Sequence, residues 1–542
     1  MAKSDPAVRP RLSALALPSV IRGIGVLGVL SVLSVLGGAS GCRGRGPLRV
    51  LSRPATVRPV HAIIPANSQT EPALPAEPAA PDPLPPPRGG EPLRWVLAGG
   101  GATPSLAQIS LAQDLAQAQQ RMQGEGLVLF GSGPGSRVLA LRGEPTSPPS
   151  LSDRLSELLD PRGGRDSRFV WAPVRSHGPF TREALEGALL RALARSSEPL
   201  LVYLAAHGSG GETPRESVVG TWGDQELSVQ DLTGILDGAR SPRPVRVVST
   251  SCFGGGFAEL IYREADPSKG LAVPLRCGLF ATTWDREASG CDPDPDRRAQ
   301  EGFGLHFLNA LAQRAPDGSA VALSDVDYDG DGHIGLLDAH TRARITGRSI
   351  DVPTTTSERY VRQQLDGLRG GVDSPSNIPD EVREEEAVIA ALSAALTIPR
   401  AHGELRTLIT QTEALRRTLQ ETVEASEARL TALDAALVTE LRARYPVLED
   451  RWHRDWDAVV RANTAEITAL LDTHPSRAVR TMVAQESERD VTQLEALELR
   501  YTLMLRLERA WQTRRLAAHL RARGGAPWRA FVALRTCERA GP

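Results

Sequence analysis

The stretch "PLLVYLAAHGSGGE", Pro199 to Glu212, runs an apolar segment directly into His207 and Gly208. A second stretch, "PVRVVSTSCFGGGF" from Pro244 to Phe257, has the same form, and its run ends on Cys252. Apolar runs this short, bounded by proline and glycine, read as buried strands. "SVQDLTGILDGA" between them and "REALEGALLRALARS" before them carry helical periodicity. Upstream, "LRWVLAGGG" (Leu93 to Gly101) and "GLVLFGSG" (Gly126 to Gly133) add strands around a helical "SLAQDLAQAQQRM". Downstream, "GLFATTW" is one more strand and "EGFGLHFLNALAQRA" one more helix. This alternation predicts an α/β fold, a mostly parallel sheet flanked by helices. Functional side chains in such sheets gather beyond the carboxyl ends of the strands, where His207 and Cys252 stand.

The chain has 542 residues, enough for two or three domains. Its 41% hydrophobic and 24% charged residues fit a soluble globular protein. With 63 basic against 65 acidic residues, nothing in the charge favours nucleic acid as a partner. The first forty residues read as an address. Lys3, Arg9, Arg11 and Arg22 precede or begin an apolar run, "GIGVLGVLSVLSVLGG", and "ASGC" follows, ending at Cys42. Small residues just before a cysteine look like a bacterial lipoprotein signal over residues 1–42, with Cys42 acylated as the mature N-terminus. The alternative is an uncleaved membrane helix, since the run is nearly long enough to span a bilayer. Either way the remainder is expected in the cell envelope, facing the periplasm or the exterior, held to the membrane through its N-terminus.

Residues 43–91 are rich in proline and alanine ("PALPAEPAAPDPLPPPRGG") and read as an extended tether. Residues 92–375 carry the strand–helix alternation. Over 380–542 the texture changes to all-α. Leu408, Leu415, Leu419, Val423, Leu430, Leu433, Leu437 and Leu441 recur mostly at threes, fours and sevens, which predicts one long amphipathic helix. A second is expected from about Arg477 to Arg521, after a "DTHPSR" break. The two form a hairpin or small bundle. They either pack on themselves or bind a protein partner or a second copy.

A thiol is a useful nucleophile only when a base takes its proton, so Cys252 and His207 must converge on rigid elements. Two neighbouring strands would supply that rigidity. Gly208 and the run Gly254–Gly256 would let backbone amides approach a developing oxyanion. The alternative is a buried structural cysteine beside an unrelated loop histidine. "LLVYLAAHG" and "VRVVSTSC" are similar to the paired signatures of caspase-like cysteine peptidases, and the legumain family, especially its bacterial members, is the nearest match. "FATTWDREASGCDPDPDRRAQEGFGLHFLNAL", Phe280 to Leu311, and the opening "VLAGGGATPSLAQISLAQDLAQAQQ" resemble segments of the same family, so the likeness covers roughly Leu93 to Arg369.

The resemblance implies His207 as general base, Cys252 as nucleophile, the backbone amides of Gly208 and Cys252 as oxyanion hole, and a thioester acyl-enzyme on a peptide or protein substrate. Gly254 departs from the family, whose members usually carry serine there. The loop after His207 lacks the acidic residues common in plant and animal legumains. Hydrolysis by a cysteine endopeptidase is the first expectation. Transpeptidation on the same dyad, or a catalytically silent scaffold binding partners through the C-terminal helices, are the alternatives.

"DYDGDGHIGLLD", Asp327 to Asp338, has the spacing of a calcium loop. Asp327, Asp329 and Asp331 stand at positions 1, 3 and 5, the His333 carbonyl at 7 and Asp338 at 12, with Gly332 at the sharp turn. A structural Ca²⁺ is expected, in a lone dockerin-like loop. Asp285 and Arg286, at a strand end, either line a specificity pocket or form a solvated loop pair. Cys277 and Cys291 flank a strand, as a disulfide or as two buried thiols; plain packing is the preferred reading. There is no CxxC pair or zinc pattern.

Overall fold

The computed structural model describes residues 82–87, 91–141, 148–159, 167–194, 196–365, 378–398, 402–450 and 453–542. The signal segment with Cys42, nearly all of the tether, and the expected boundary near 375 lie outside these residues. No helix among the described residues is long and apolar enough to cross a membrane.

In chain order the strands are β1 (Trp95–Gly100), β2 (Gly126–Phe130), β3 (Arg137–Leu141), β4 (Ser167–Trp171), β5 (Leu200–Ala206), β6 (Gly208–Ser209), β7 (Val218–Thr221), β8 (Gln225–Ser228), β9 (Val245–Ser249), β10 (Arg276–Phe280) and β11 (Thr354–Thr355). Six of them form the central sheet in the order β11-β10-β9-β5-β1-β2, parallel except for the short β11. The fold is therefore α/β with a mostly parallel sheet flanked by helices, as the alternation predicted. A β3–β4 ribbon and a three-stranded β6-β7-β8 sheet stand apart from it. The sequence reading did not foresee these two.

The strands are apolar on both faces because both are covered. Along β5, Leu200, Val202, Leu204 and Ala206 enter one core, with Leu185 and Leu189 of α3 (Arg182–Leu193) and Leu232 of α4 (Val229–Gly238). Leu201, Tyr203 and Ala205 enter the other, with Leu111 and Leu115 of α1 (Ile109–Gln119) and Phe303, Phe307 and Leu308 of α5 (Phe303–Leu311). The helix starts are capped where the sequence offers short polar side chains. Thr181 Oγ1 accepts from the Ala184 amide at 3.2 Å, and Ser228 and Asp231 form a reciprocal capping box.

The helical region follows α6 (Leu336–Thr346), α7 (Thr356–Gln364) and α8 (Arg383–Leu396), while α2 (Leu151–Leu159) lies earlier in the chain. Its two long helices are α9 (His402–Arg444) and α12 (Arg477–Arg523), close to the bounds the periodicity suggested. They are joined through the short α10 (Trp456–Ala462) and α11 (Thr464–Thr473), and α13 (Gly525–Arg539) ends the chain's helices. Met504, Leu507 and Ala510 of α12 pack on Val388, Ile389 and Leu392 of α8 and on Leu405 of α9. At the far end, Leu155 of α2 joins Leu437, Leu441, Trp456 and Ile467.

This region packs against the sheet rather than only on itself: Leu520, Phe531 and Leu534 enter the core that holds Leu204 and Val247. Ion pairs tie these helices to one another, α13 to α8 and α12 to α7. Arg535 reaches Glu384 at 2.7 Å and Glu385 at 2.8 Å, and Arg509 reaches Glu358 at 2.8 Å. Burial pushes the Glu358 carboxyl up, but Arg509, Arg362 and Arg344 outweigh it and hold the group at about 2. A disulfide, Cys277 of β10 to Cys537 of α13, closes a separation of 260 residues. Neither reading offered for Cys277 and Cys291 is right for Cys277. Its partner lies on a helix the hydrophobic pattern did not single out, and only packing brings that helix to β10. Cys291 is a buried thiol outside any disulfide.

Candidate active site

β5 and β9 are parallel neighbours whose last paired residues are Leu204 and Ser249, and the Thr250 amide donates to the Leu204 carbonyl at 3.0 Å. His207 and Cys252 each stand three residues beyond that pair, so equal register delivers both to the same end of the sheet. The two segments touch. A Cβ on Gly208 would fall 2.3 Å from the Cys252 carbonyl oxygen, so only glycine fits beside the cysteine. Phe253 follows Cys252 at φ 56°, a left-handed turn uncommon for a bulky residue, with its amide donating to the Arg286 carbonyl at 2.8 Å. At Gly254 a Cβ would meet nothing closer than 3.4 Å, so a serine there would be accommodated.

The His207 ring is held from both sides. Nε2 lies 2.7 Å from the Leu106 carbonyl and 2.9 Å from Gln108 Oε1. Both partners offer oxygen, so Nε2 carries the proton and Nδ1 keeps its lone pair. That nitrogen is 3.6 Å from the sulfur of Cys291. The Cys252 sulfur receives the Ala288 amide at 3.2 Å and stands 3.4 Å from the Ala288 carbonyl. The Ala288 backbone can thus pair with either form of the sulfur, its carbonyl with a thiol and its amide with a thiolate. The amide of Gly208 is also available to a ligand. The Gly220 amide donates to the His207 carbonyl, so the Gly208–Val219 pair is one the antiparallel ladder leaves without direct hydrogen bonds.

The loop carrying Ala288 and Cys291 is pinned from outside. Asp351 accepts the amides of Ser289 at 2.5 Å and Phe303 at 2.8 Å. Ser110 Oγ donates to the Gly290 carbonyl and accepts from the Asp292 amide, each at 2.7 Å. Buried Arg506 of α12 donates to the backbone carbonyls of Asp351 at 2.6 Å and Ser349 at 2.9 Å. The helical region therefore reaches the site through Arg506, Asp351 and Ser289. Of the specificity candidates, Asp285 is exposed and accepts from Thr283 Oγ1 at 2.6 Å. The Arg286 guanidinium lies over the Tyr501 ring of α12, 5.7 Å from its centroid.

In the 327–338 loop, carboxylate oxygens of Asp327, Asp329 and Asp338 lie within 4.8 Å of one another. These hard oxygen donors fit a divalent cation. Asp331 and His333 are exposed and pair locally, the Asp331 carboxylate accepting the His333 amide at 2.8 Å. Burial pushes the Asp338 carboxyl up to about 7, against hydrogen bonds from the Gly335 and Tyr328 amides. Arg539 Nε stands 3.3 Å from Asp329, and Arg383 donates to the Asp329 carbonyl at 2.8 Å. The chain's own cations thus neutralise part of the acidic cluster.

No protein-family model matches the chain, and no curated protein matches it. The sequence reading missed Leu106, Gln108, Ala288 and the contact of Cys291 with His207. Three of these act through backbone groups or by proximity, which leaves no mark of residue type. Gln108 is a polar residue just ahead of the apolar face of α1, and that position was its only signal.

Proposed function

We propose that the chain is a caspase-like cysteine endopeptidase of the legumain type, with Cys252 as nucleophile and His207 as general base. The observation that carries this reading is the shared strand end. His207 has its Nε2 proton fixed on two oxygens, and the Cys252 sulfur, on the adjacent strand end, faces an amide. His207 Nδ1 takes the thiol proton, and the thiolate attacks the scissile carbonyl carbon of a peptide. The amides of Gly208 and Cys252 stabilise the oxyanion. His207 then returns the proton to the leaving amine, and water attacks the resulting thioester with His207 again as base.

Asp327, Asp329 and Asp338, completed by Asp331 and the His333 carbonyl, would hold Ca²⁺. The ion would neutralise the carboxylates that Arg539 partly serves and so brace the loop against α13. On this proposal the N-terminal segment anchors the enzyme by lipid at Cys42, at the cell envelope.

The test is labelling at pH 7 with an alkylating peptide probe, with and without calcium. Modification of Cys252 that disappears in His207→Ala supports the dyad. Equal labelling in that variant overturns it. Release of an added amine-capped product in place of the free acid would shift the reaction from hydrolysis to transfer.

A further inference from the structure

The site holds a second thiol that the proposed mechanism does not use. Cys252 and Cys291 are both thiols outside any disulfide and both buried in one apolar cluster. Cys291 places its sulfur 3.6 Å from Nδ1 of His207, the nitrogen that carries the lone pair. Cys252 has its sulfur against the backbone of Ala288, three residues before Cys291 on the same loop. Between them Gly290 takes φ +121°, with open space where a side chain would be. That backbone conformation is open to glycine and strained for other residues. One base, two thiols and a short connection between them match a reactive cysteine with a resolving partner.

We propose that Cys252 and Cys291 form a reversible disulfide under hydroperoxide, a modification that silences the nucleophile while protecting it from irreversible oxidation. The proposal rests on the reading of His207 and Cys252 as a dyad. In the first step the Cys252 thiolate attacks an oxygen of the hydroperoxide. An S–O bond forms, the O–O bond breaks, and the leaving hydroxide or alkoxide takes the proton held on His207. In the second step His207 Nδ1 removes the proton of Cys291, and that thiolate attacks the Cys252 sulfur. The S–S bond forms, the S–O bond breaks, and the hydroxide released takes the proton back to give water. With hydrogen peroxide the sum is two thiols and one peroxide giving one disulfide and two waters. The sulfurs lose two electrons, which the peroxide oxygens gain. Reduction by an external thiol restores both cysteines.

The experiment uses the full chain, treated with one equivalent of hydrogen peroxide at pH 7, blocked with N-ethylmaleimide and digested without reductant for mass spectrometry. The expected result is a Cys252–Cys291 linked peptide that appears with peroxide and vanishes with dithiothreitol. The Cys277–Cys537 link should be present throughout and serves as an internal standard. In Cys291→Ser, Cys252 should instead be trapped by dimedone or pass to the sulfinic acid. In His207→Ala the oxidation rate should fall, by up to about thirtyfold, because an ordinary cysteine is only ~3% thiolate at that pH. Dimedone labelling of Cys252 in the unmutated chain without the linked peptide would overturn the proposal and leave the dyad standing. Failure of Cys252 to react with either peroxide or an alkylating probe would overturn both.

Discussion

The chain's cysteines serve two regions that differ in how they are held. Around β10 and α13, Cys277 and Cys537 are covalently joined, and buried Arg535 lies among Glu384, Glu385 and Glu538. Around the ends of β5 and β9, Cys252 and Cys291 are not joined in a disulfide; Cys291 meets an imidazole and Cys252 a backbone amide. The first region spends its polar groups on permanent pairs, which suits a clamp between distant segments. The second sets an imidazole nitrogen 3.6 Å from a thiol sulfur, an arrangement that suits proton transfer. They are connected through α12, the helix that leads into α13: its Arg506 holds Asp351, and Asp351 holds the loop beside Cys252. A rigid clamp is what allows the reactive end to stay geometrically defined without covalent ties.

The widest separation of the two regions should come from Cys252→Ala. Peptide cleavage should fall by roughly a thousandfold or more, measured as product formation, while the unfolding midpoint moves little. A parallel collapse of the fold would show that Cys252 is a packing residue. Arg535→Met makes the converse cut by leaving buried carboxylates without their partner. It should cost about 3–5 kcal/mol in denaturant unfolding; an unchanged midpoint would mean the cluster contributes nothing to the clamp. Cys537→Ser should cost about 2–5 kcal/mol by the same measurement, because the closed loop is long.

The contact of α12 with α7 has an acid limit. Glu358 is held at about 2 in the folded chain against an ordinary 4.5, so its contribution is complete above pH 4.5. It is lost as pH falls from 4.5 towards 2, on the order of 3 kcal/mol. Stability of Glu358→Gln should be lower at neutral pH and flatter across that window; matching pH profiles for the two chains would remove Glu358 from the account. The smallest effect belongs to the reactive end. Gln108→Ala leaves Leu106 holding Nε2 and should slow Cys252 alkylation about fivefold, the worth of about one net hydrogen bond.

Much of the fold was legible along the chain because it depends on local period. β5 was read to the residue from "LLVYLAA", and α12 within a few residues from its repeats. The candidate dyad was legible for a related reason, since two apolar runs ending on His207-Gly208 and near Cys252 mark where parallel strands stop. The β6-β7-β8 sheet was missed because its strands have two to four residues, too few for a period to register.

What a window of sequence carries is periodicity, punctuation by glycine and proline, and the spacing of oxygen donors. From these came the α/β order, the two long helices, the strand-end residues and the 327–338 loop. Folding added the meetings between segments far apart in the chain. Cys277 finds Cys537 across 260 residues, His207 finds the carbonyl of Leu106, and the sulfur of Cys252 finds the amide of Ala288. Such meetings depend on how two apolar faces pack over one sheet. The last two employ backbone groups, which residue type does not mark, and the disulfide's pairing is fixed by packing across the chain.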